Sequence, residues 1–360
     1  MSGERVAPST LRAPLLAWFD VHQREMPWRS DPKPWHVWVS EIMLQQTRVD
    51  SVIGYYHRFL ARFPTPTHLA EAPADDVMKL WAGLGYYARA RNLQKGAQQV
   101  VERHGGEVPD DPDAFLALAG VGRYTCGAVQ SIAFGRRLPV LDGNVIRVLS
   151  RVDLVTSDPR EKTTNAALWA RAGALADGER PGDLNQALME LGALVCTPRN
   201  PKCTTCPLAS SCMAYREGDP SRLPVKAKKK PRPRLKYQGG LVRDGSGRIW
   251  LGKRPAKGLL GGLWSLPMIQ AEGPASLDTL GLTAVESSTP VATVEHGFTH
   301  QIWEVSLHAC VGQPSGEPFV DWQAFEEQAL AEIALAGPSL KALRAAGVSL
   351  PHRRGAGRRK

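Results

Sequence analysis

The fold is decided by one stretch, Leu118-Ala119-Gly120-Val121-Gly122-Arg123-Tyr124-Thr125, and by its continuation, Leu138-Pro139-Val140-Leu141-Asp142-Gly143-Asn144-Val145. Residues 113–118 and 125–134 are predicted to be helices on either side of the two glycines. Gly120 and Gly122 allow a tight turn, and the free N–H groups that begin the second helix suit a phosphate. The pattern predicts a helix–hairpin–helix that binds a DNA backbone, although an ordinary turn between helices would have the same composition.

Asp142 follows Gly122 by twenty residues and immediately precedes a helix predicted over 144–152. An aspartate in that position is commonly the N-cap of the helix. Beside a clamp on the DNA backbone, the same carboxylate also suits chemistry on a nucleotide sugar. The stretch alone leaves both interpretations open.

Composition sets the broad class of the protein. The chain has 360 residues, enough for two domains, and a formal net charge of +10, which favours a polyanionic partner. It contains no run of 18 apolar residues, so we expect no membrane span. Residues 1–12 lack the apolar segment of a secretion signal.

Four of the six cysteines, Cys196, Cys203, Cys206 and Cys212, fall within 17 residues. This spacing is typical of a metal centre in a reducing compartment rather than of a disulfide framework. Zinc and an iron–sulfur cluster both accept four cysteines, so the spacing does not choose between them. Cys126 and Cys310 are predicted to be packing residues.

Two glutamates lie inside apolar helical patterns. Glu41 belongs to a helix predicted over 35–46, and Glu190 belongs to one predicted over 183–195. Glu41 lies either at the solvated edge of the apolar stripe or in the core, where burial would raise its pKa.

Further helices are predicted over residues 11–23, 49–63, 74–81 and 165–177, and over a segment that opens at Gly83 and ends at His104. Tyr86, at the start of that last helix, suits a wedge into a base stack, and a buried tyrosine is the alternative. Trp28 and Arg29 stand in a stretch predicted to be irregular, where they suit a pocket wall. Core packing is the alternative for Trp28.

The pattern changes after a basic, proline-rich linker at 216–235. Strand pairs are predicted at 237–242 with 248–252, and at 291–296 with 301–311. Helices are predicted over 325–335 and 340–346. The second domain, 236–347, is therefore expected to be mixed α/β, followed by a basic, disordered tail over 348–360.

Together these residues resemble the endonuclease III superfamily of DNA base-excision glycosylases, and within it the MutY-type adenine DNA glycosylases. The resemblance rests on the helix–hairpin–helix, Asp142, the cysteine loop and several motifs. These motifs are Pro27-Trp28-Arg29, the run from Ser40 to Thr47, Gly83-Leu84-Gly85-Tyr86-Tyr87, Leu141-Asp142-Gly143-Asn144, Gly262-Leu263-Trp264-Ser265-Leu266-Pro267 and Phe298-Thr299-His300.

The resemblance implies a mainly α glycosylase domain over 1–215, with its cluster loop at 196–212, and a smaller Nudix-like domain over 236–347. It implies a monofunctional glycosylase that excises adenine opposite 8-oxoguanine or guanine in double-stranded DNA and leaves an abasic site. We expect a monomeric protein, cytoplasmic and associated with the nucleoid. One 4Fe–4S cluster is implied on Cys196, Cys203, Cys206 and Cys212.

The resemblance also implies a role for each site residue. Glu41 protonates N7 of adenine and Asp142 stabilises an oxocarbenium-like sugar, with Tyr124 and Asn144 beside them. Trp28, Arg29 and Glu190 form the adenine pocket, Gln46 and Tyr86 wedge into the duplex, and Gly120 and Gly122 bind its backbone. Phe298, Thr299 and His300 read the 8-oxoguanine.

Two departures from the family pattern matter. Thr299 stands where the family usually has serine, so the hydroxyl is kept and a methyl group is added. Residues 270–286 lack the E-x-x-E-E cluster that a Nudix hydrolase needs to bind metal. The second domain is therefore expected to read DNA and not to hydrolyse nucleotides.

Two other functions stay open as alternatives. A bifunctional glycosylase/lyase acting on oxidised pyrimidines would need a lysine nucleophile, and Tyr124 holds that position here. A non-catalytic iron–sulfur protein that binds DNA would not need both Glu41 and Asp142.

Overall fold

The computed structural model describes residues 6–225, 231–285 and 289–350. Residues 226–230 of the predicted linker and the predicted tail from residue 351 onward lie outside the described residues. The chain forms two compact units, of which the first comprises 1–71 and 92–229 and the second comprises 72–91 and 230–360. Among the described residues, no helix has the length and apolarity needed to cross a bilayer.

Helices dominate the chain before the linker. They are α1 (Pro8–His22), α2 (Pro27–Ser30), α3 (Pro34–Leu44), α4 (Val49–Arg62), α5 (Pro66–Ala70), α6 (Ala74–Trp81), α7 (Ala88–His104), α8 (Pro112–Leu116), α9 (Arg123–Phe134), α10 (Gly143–Val152), α11 (Lys162–Ala176), α12 (Pro181–Leu194) and α13 (Met213–Arg216). Proline opens several of them, because its missing N–H would be unpaired in the first turn anyway. One prediction is wrong: Trp28 and Arg29 lie on the short helix α2, not on irregular backbone.

The hairpin between α8 and α9 uses its two glycines differently. Gly120 has a left-handed φ of 78°, and a Cβ there would lie 2.6 Å from the Cβ of Asn92. Gly122 is the N-cap of α9 with a φ of −102°, and a Cβ there would meet nothing within 4 Å. The fold therefore requires glycine at 120, while glycine at 122 leaves the start of α9 open to an approaching ligand.

The segment that carries Asp142 is held between two helices. A Cβ at Gly127 of α9 would lie 2.0 Å from the carbonyl oxygen of Pro139, so the segment lies directly on that helix. From α12, the amide of Asn185 donates to the carbonyl of Leu138 at 2.8 Å and accepts from the N–H of Val140 at 3.3 Å. An apolar core of this unit includes Val140 and Leu141 of the segment and joins α1, α10, α11 and α12.

After the linker, the second unit has eight described strands and one helix, in addition to α6 from residues 72–91. They are β1 (Arg234–Val242), β2 (Ile249–Lys253), β3 (Trp264–Ser265), β4 (Met268–Gln270), β5 (Leu282–Ala284), β6 (Ala292–Gly297), β7 (Ile302–Gly312), β8 (Asp321–Phe325) and α14 (Gly337–Ala345). In the larger sheet β1 runs parallel to β7 and antiparallel to β4, and both β5 and β6 pair with β7. The smaller sheet has the order β3-β2-β8.

The structure corrects two predictions for this unit and confirms two others. The strands at 237–242 and 248–252 do not form a hairpin, because β1 and β2 belong to different sheets and share only the bridge between Arg243 and Ile249. Residues 325–335 are not an α-helix; they contain the end of β8 and a short 3-10 turn at Gln328–Ala331. The hairpin of β6 with β7 and the helix α14 are confirmed.

Candidate active site and cluster loop

An open cavity of about 670 Å³ gathers most of the predicted site residues of the first unit. Residues from α2, α3, the glycine hairpin, the N-terminus of α10 and α12 line it. The predicted members that line this cavity are Trp28, Arg29, Glu41, Gln46, Gly120, Gly122, Tyr124, Asp142, Asn144 and Glu190. A cavity lined by several convergent acids, amides and aromatic rings is typical of a catalytic site.

Glu41 lies on α3 and is 5% exposed, so of the two environments considered for it the buried one is correct. The hydroxyl of Tyr124, on α9, donates a hydrogen bond of 2.7 Å to its Oε2. The pKa of Glu41 is raised to about 7, chiefly by burial. The Tyr124 hydrogen bond and the charge of Arg29 act to lower this pKa, and nearby Asp142 acts to raise it. Glu41 is therefore suited to carry a proton near neutral pH.

Asp142 is the N-cap of α10, as one of its two interpretations has it, and it also lines the cavity. Its role in chemistry on a nucleotide sugar stays a prediction. Its Oδ1 accepts from the backbone N–H groups of Asn144 and Val145 at 2.9 and 2.8 Å, and Nδ2 of Asn144 donates to its Oδ2 at 3.0 Å. Burial raises the pKa of Asp142, and these three hydrogen bonds favour its ionised form. They also fix the direction of the carboxylate.

Glu190, on α12, is 2% exposed but has charged partners. Arg24 forms a two-pronged ion pair with it, at 2.7 Å from Nε and 2.9 Å from Nη2, and Arg29 donates to its Oε2 at 3.0 Å. Burial acts to raise the pKa of Glu190, but these hydrogen bonds outweigh it and lower the pKa to about 2. Glu190 is thus a fixed anion that holds both arginines at the cavity wall.

A chain of contacts leads from Asp142 to the cysteine loop. Nη2 of Arg147 donates to Oδ1 of Asn144 at 2.8 Å, and Nε of Arg147 donates to the carbonyl oxygen of Cys196 at 2.7 Å. A Cβ at Gly192 would lie 2.6 Å from the Cβ of Asn144, so α12 presses directly on this side chain. The position of the segment that carries Asp142 and Asn144 is therefore coupled to the loop that begins at Cys196.

Cys196, Cys203, Cys206 and Cys212 are free thiols that line one cavity, together with apolar side chains from α10 and α12. Among the residues that the structure describes, no three Cys, His, Asp or Glu side chains are placed to hold a single metal ion. Four cysteines around one cavity supply the set of thiol donors that an iron–sulfur cluster needs. The other two cysteines, Cys126 and Cys310, are buried packing residues as predicted.

The remaining predicted residues lie in the second unit, where the structure brings two of them together. The hydroxyl oxygens of Tyr86 and Thr299 are 2.9 Å apart, within hydrogen-bond distance. Phe298 is half-buried, with its ring centroid 4.6 Å from that of His296 and 4.9 Å from that of Trp303. Thr299 and His300 are exposed at the turn between β6 and β7.

Sequence reasoning missed three side chains that shape the site: Arg24, Arg147 and Gln186, which accepts from Nε of Arg29 at 2.9 Å. Arg147 could have been noticed in the sequence, because it lies among the apolar residues of α10, where a buried arginine needs hydrogen-bond partners. No local pattern indicated Arg24 or Gln186, since their role depends on contacts across more than 150 residues of chain.

Three family models match the chain. Residues 39–173 match the HhH-GPD superfamily base excision DNA repair protein, residues 196–212 match the iron-sulfur binding domain of endonuclease III, and residues 239–345 match the NUDIX domain. The described loop and this match agree that the chain carries one 4Fe–4S cluster.

Similar proteins and structures give the same assignment. The chain is 37% identical to the adenine DNA glycosylase of Rattus norvegicus, over 89% of this chain and 75% of that one. It is 36% identical to the adenine DNA glycosylase of Homo sapiens, over 91% of this chain and 72% of that one. The solved structure of a thermostable thymine-DNA glycosylase matches with 30% identity and a TM-score of 0.54, over 58% of this chain and 97% of that one. With both halves matched in order and the paired acids in one cavity, the chain belongs to the adenine DNA glycosylases, the base-excision enzymes of the helix–hairpin–helix superfamily that act on DNA.

Proposed function

We propose that this adenine DNA glycosylase acts on adenine mispaired with 8-oxoguanine or guanine, and that it is monofunctional. The observation that carries the proposal is the pair of acids in one cavity: Glu41, with its pKa raised by burial to about 7, and Asp142, held by three hydrogen bonds. Two carboxylates in unlike environments suit the cleavage of a glycosidic bond.

The proposed reaction begins with the extrusion of adenine from the duplex into the cavity, where Trp28, Arg29 and Glu190 surround it. Glu41 donates its proton to N7 of adenine, so the electron pair of the breaking C1′–N9 bond leaves on a neutral base. The carboxylate of Asp142 stabilises the positive charge that develops on the sugar. Water then adds its oxygen to C1′ and gives up one proton to the carboxylate that Glu41 now carries, leaving an abasic site.

Tyr124 supports the monofunctional assignment. Its hydroxyl donates to Glu41, and a phenol cannot form the imine that links a lyase to its sugar. Gly122, where a side chain would meet no neighbour, and the N–H groups that begin α9 suit a DNA phosphate. Gln46, in a left-handed conformation with a φ of 58°, lies at the cavity rim, where a side chain could enter the duplex.

We assign the cluster to Cys196, Cys203, Cys206 and Cys212. The bound cluster contributes a rigid anionic centre, and through Arg147 the loop is joined to Asn144 beside Asp142. We assign glycosylase activity to residues 1–215 and reading of the opposite base to residues 236–347, through Phe298, Thr299, His300 and Tyr86. A monomeric enzyme associated with the nucleoid stays our prediction.

The test uses the purified full-length protein with duplexes that hold one adenine opposite 8-oxoguanine, guanine or thymine. We expect release of adenine from the first two duplexes and an intact strand until hot alkali is added. Strand cleavage without alkali, or a borohydride-trapped adduct as the major product, would contradict the monofunctional assignment. Equal excision opposite thymine would contradict the mispair specificity.

A further inference from the structure

Arg151 is a buried cation with an unusual set of partners. It lies on α10, one helical turn after Arg147, and is 1% exposed. Within residues 6–225, 231–285 and 289–350, no carboxylate forms an ion pair with it. A buried charge without a counter-ion is strongly unfavourable in a protein interior. The contacts of its guanidinium therefore identify the group that balances it.

The guanidinium donates four hydrogen bonds to described residues, and all four end on the cysteine loop or on the segment that follows it. Nη1 donates to Sγ of Cys196 at 3.2 Å and to the carbonyl of Thr197 at 2.8 Å. Nη2 reaches the carbonyl of Pro198 at 3.3 Å, and Nε donates to the carbonyl of Leu223 at 3.0 Å. One side chain of α10 thus holds both the beginning of the cysteine loop and the segment that follows the end of the loop.

We propose that Arg151 is the counter-cation of the iron–sulfur centre, which neutralises its negative charge and holds Cys196 in place so that the cluster is retained. Cluster ligands bind as thiolates, and a centre with four thiolates is anionic. The cation and the anionic centre then stabilise each other in the interior. The N–H group that Arg151 directs at Cys196 is a charge-assisted donor, which also fixes the direction of the sulfur.

Arg147 has a different role, although it lies on the same helix face. Its hydrogen bonds end on the carbonyls of Gly143, Gly192 and Cys196 and on Asn144, and none ends on a sulfur. We therefore expect changes at Arg147 to alter catalysis first, and changes at Arg151 to alter the cluster first.

The experiment compares Arg151→Met with Arg151→Lys in the purified holoenzyme. The two side chains have similar length, but only lysine keeps the charge. Cluster loss is followed as the decay of visible absorbance with excess iron chelator under anaerobic conditions. We expect Arg151→Met to lose the cluster at least tenfold faster than Arg151→Lys, and Arg151→Lys to lose it severalfold faster than the unchanged protein, because an ammonium cannot reach all four acceptors. Equal rates for the two variants would overturn the proposal.

A matched control separates this effect from general destabilisation. Arg171 is also buried but is paired with Asp153, with Nε 2.9 Å from Oδ2, and does not contact the cysteine loop. We expect Arg171→Gln to lower the melting temperature while the decay rate of its cluster stays unchanged. If Arg151→Met is recovered unfolded, the test rests on Arg151→Lys. A cluster decay rate in Arg151→Lys equal to that of the unchanged protein then overturns the proposal.

As a second readout, loss of the charge in Arg151→Gln should lower the reduction potential of the cluster.

Discussion

Glu41 and Glu190 line the same cavity, on α3 and α12, and both are almost fully buried. Yet the pKa of Glu41 is raised to about 7, and that of Glu190 is lowered to about 2. The difference lies in their partners, since Glu41 accepts from a neutral hydroxyl and Glu190 accepts from two guanidinium groups. Burial alone therefore does not make a proton donor. A buried acid keeps its proton when no cation is hydrogen-bonded to its carboxylate.

The largest expected effect comes from removing the proton of the first acid. Glu41→Gln keeps the shape and the hydrogen bond from Tyr124 but has no acidic proton. Loss of a general acid lowers rates by roughly 10²–10⁴-fold, and a depurination without another acid should be at the upper end. Single-turnover release of adenine measures this, with DNA binding as the control that should be unchanged. A variant that keeps more than about a tenth of the rate would exclude Glu41 as the acid.

Replacing Glu190 by glutamine should lower the free energy of unfolding. Glu190→Gln leaves Arg24 and Arg29 beside an uncharged group, and breaking a buried ion pair costs on the order of 3 kcal/mol. Because Arg24 is partly exposed, we expect a loss of about 2–3 kcal/mol in the free energy of unfolding at pH 7. Urea denaturation measures it. A stability equal to that of the unchanged protein would mean that the ion pair does not hold in solution.

Glu41→Gln should raise the free energy of unfolding, opposite to Glu190→Gln, and the size of the increase should depend on pH. The folded state keeps this proton between pH 4.5, the ordinary pKa of a glutamate, and pH 7, whereas the unfolded chain loses it. The stability of the unchanged protein should therefore fall across that window, whereas Glu41→Gln has no such proton to lose. We expect the variant to be more stable above pH 7 by roughly 3 kcal/mol and to have no advantage below pH 4.5.

The measurement is urea denaturation of both proteins at pH 4.5, 6 and 8, in one buffer system of constant ionic strength. An advantage of Glu41→Gln that does not change with pH would mean that improved packing, not the proton, explains it. A catalytic acid kept at some cost to stability would fit the general trade-off between function and stability.

The sequence alone could not separate the two glutamates. Each is an acid inside an apolar helix, and the arginines that distinguish Glu190 stand more than 160 residues earlier in the chain. Helical periodicity predicted most of α1–α12 to within a few residues, because the apolar stripe is a local signal. The strand pairing of β1 is not local. The turn at Asp244–Gly247 was predicted correctly, but the partners of β1 are β4, which begins at Met268, and β7, which begins at Ile302. The sequence of residues 72–91 likewise did not indicate that this segment belongs to the second unit.

The smallest expected effects lie in the turn Phe298-Thr299-His300, where two of the three side chains are exposed and none is a buried charge. Phe298 packs on His296 and Trp303, so it anchors the turn, while Thr299 and His300 remain exposed. Contacts of this kind to a base contribute on the order of 1–3 kcal/mol. We expect Phe298→Ala combined with His300→Ala to weaken binding to the adenine–8-oxoguanine pair by roughly ten- to a few-hundredfold, and to an adenine–guanine pair much less.

Binding of both duplexes is measured at one salt concentration in a Glu41→Gln background, so that no adenine is released. Thr299→Ser is the matched control, since it keeps the hydroxyl that lies 2.9 Å from Tyr86 and should bind both duplexes almost as the parent does. His300→Ala alone separates direct reading from the anchoring role of Phe298, because His300 is exposed and its loss leaves the packing of Phe298 on Trp303 intact. Equal losses on the two duplexes would mean that the turn contacts only the backbone, and the group that distinguishes 8-oxoguanine would then have to lie elsewhere in the chain.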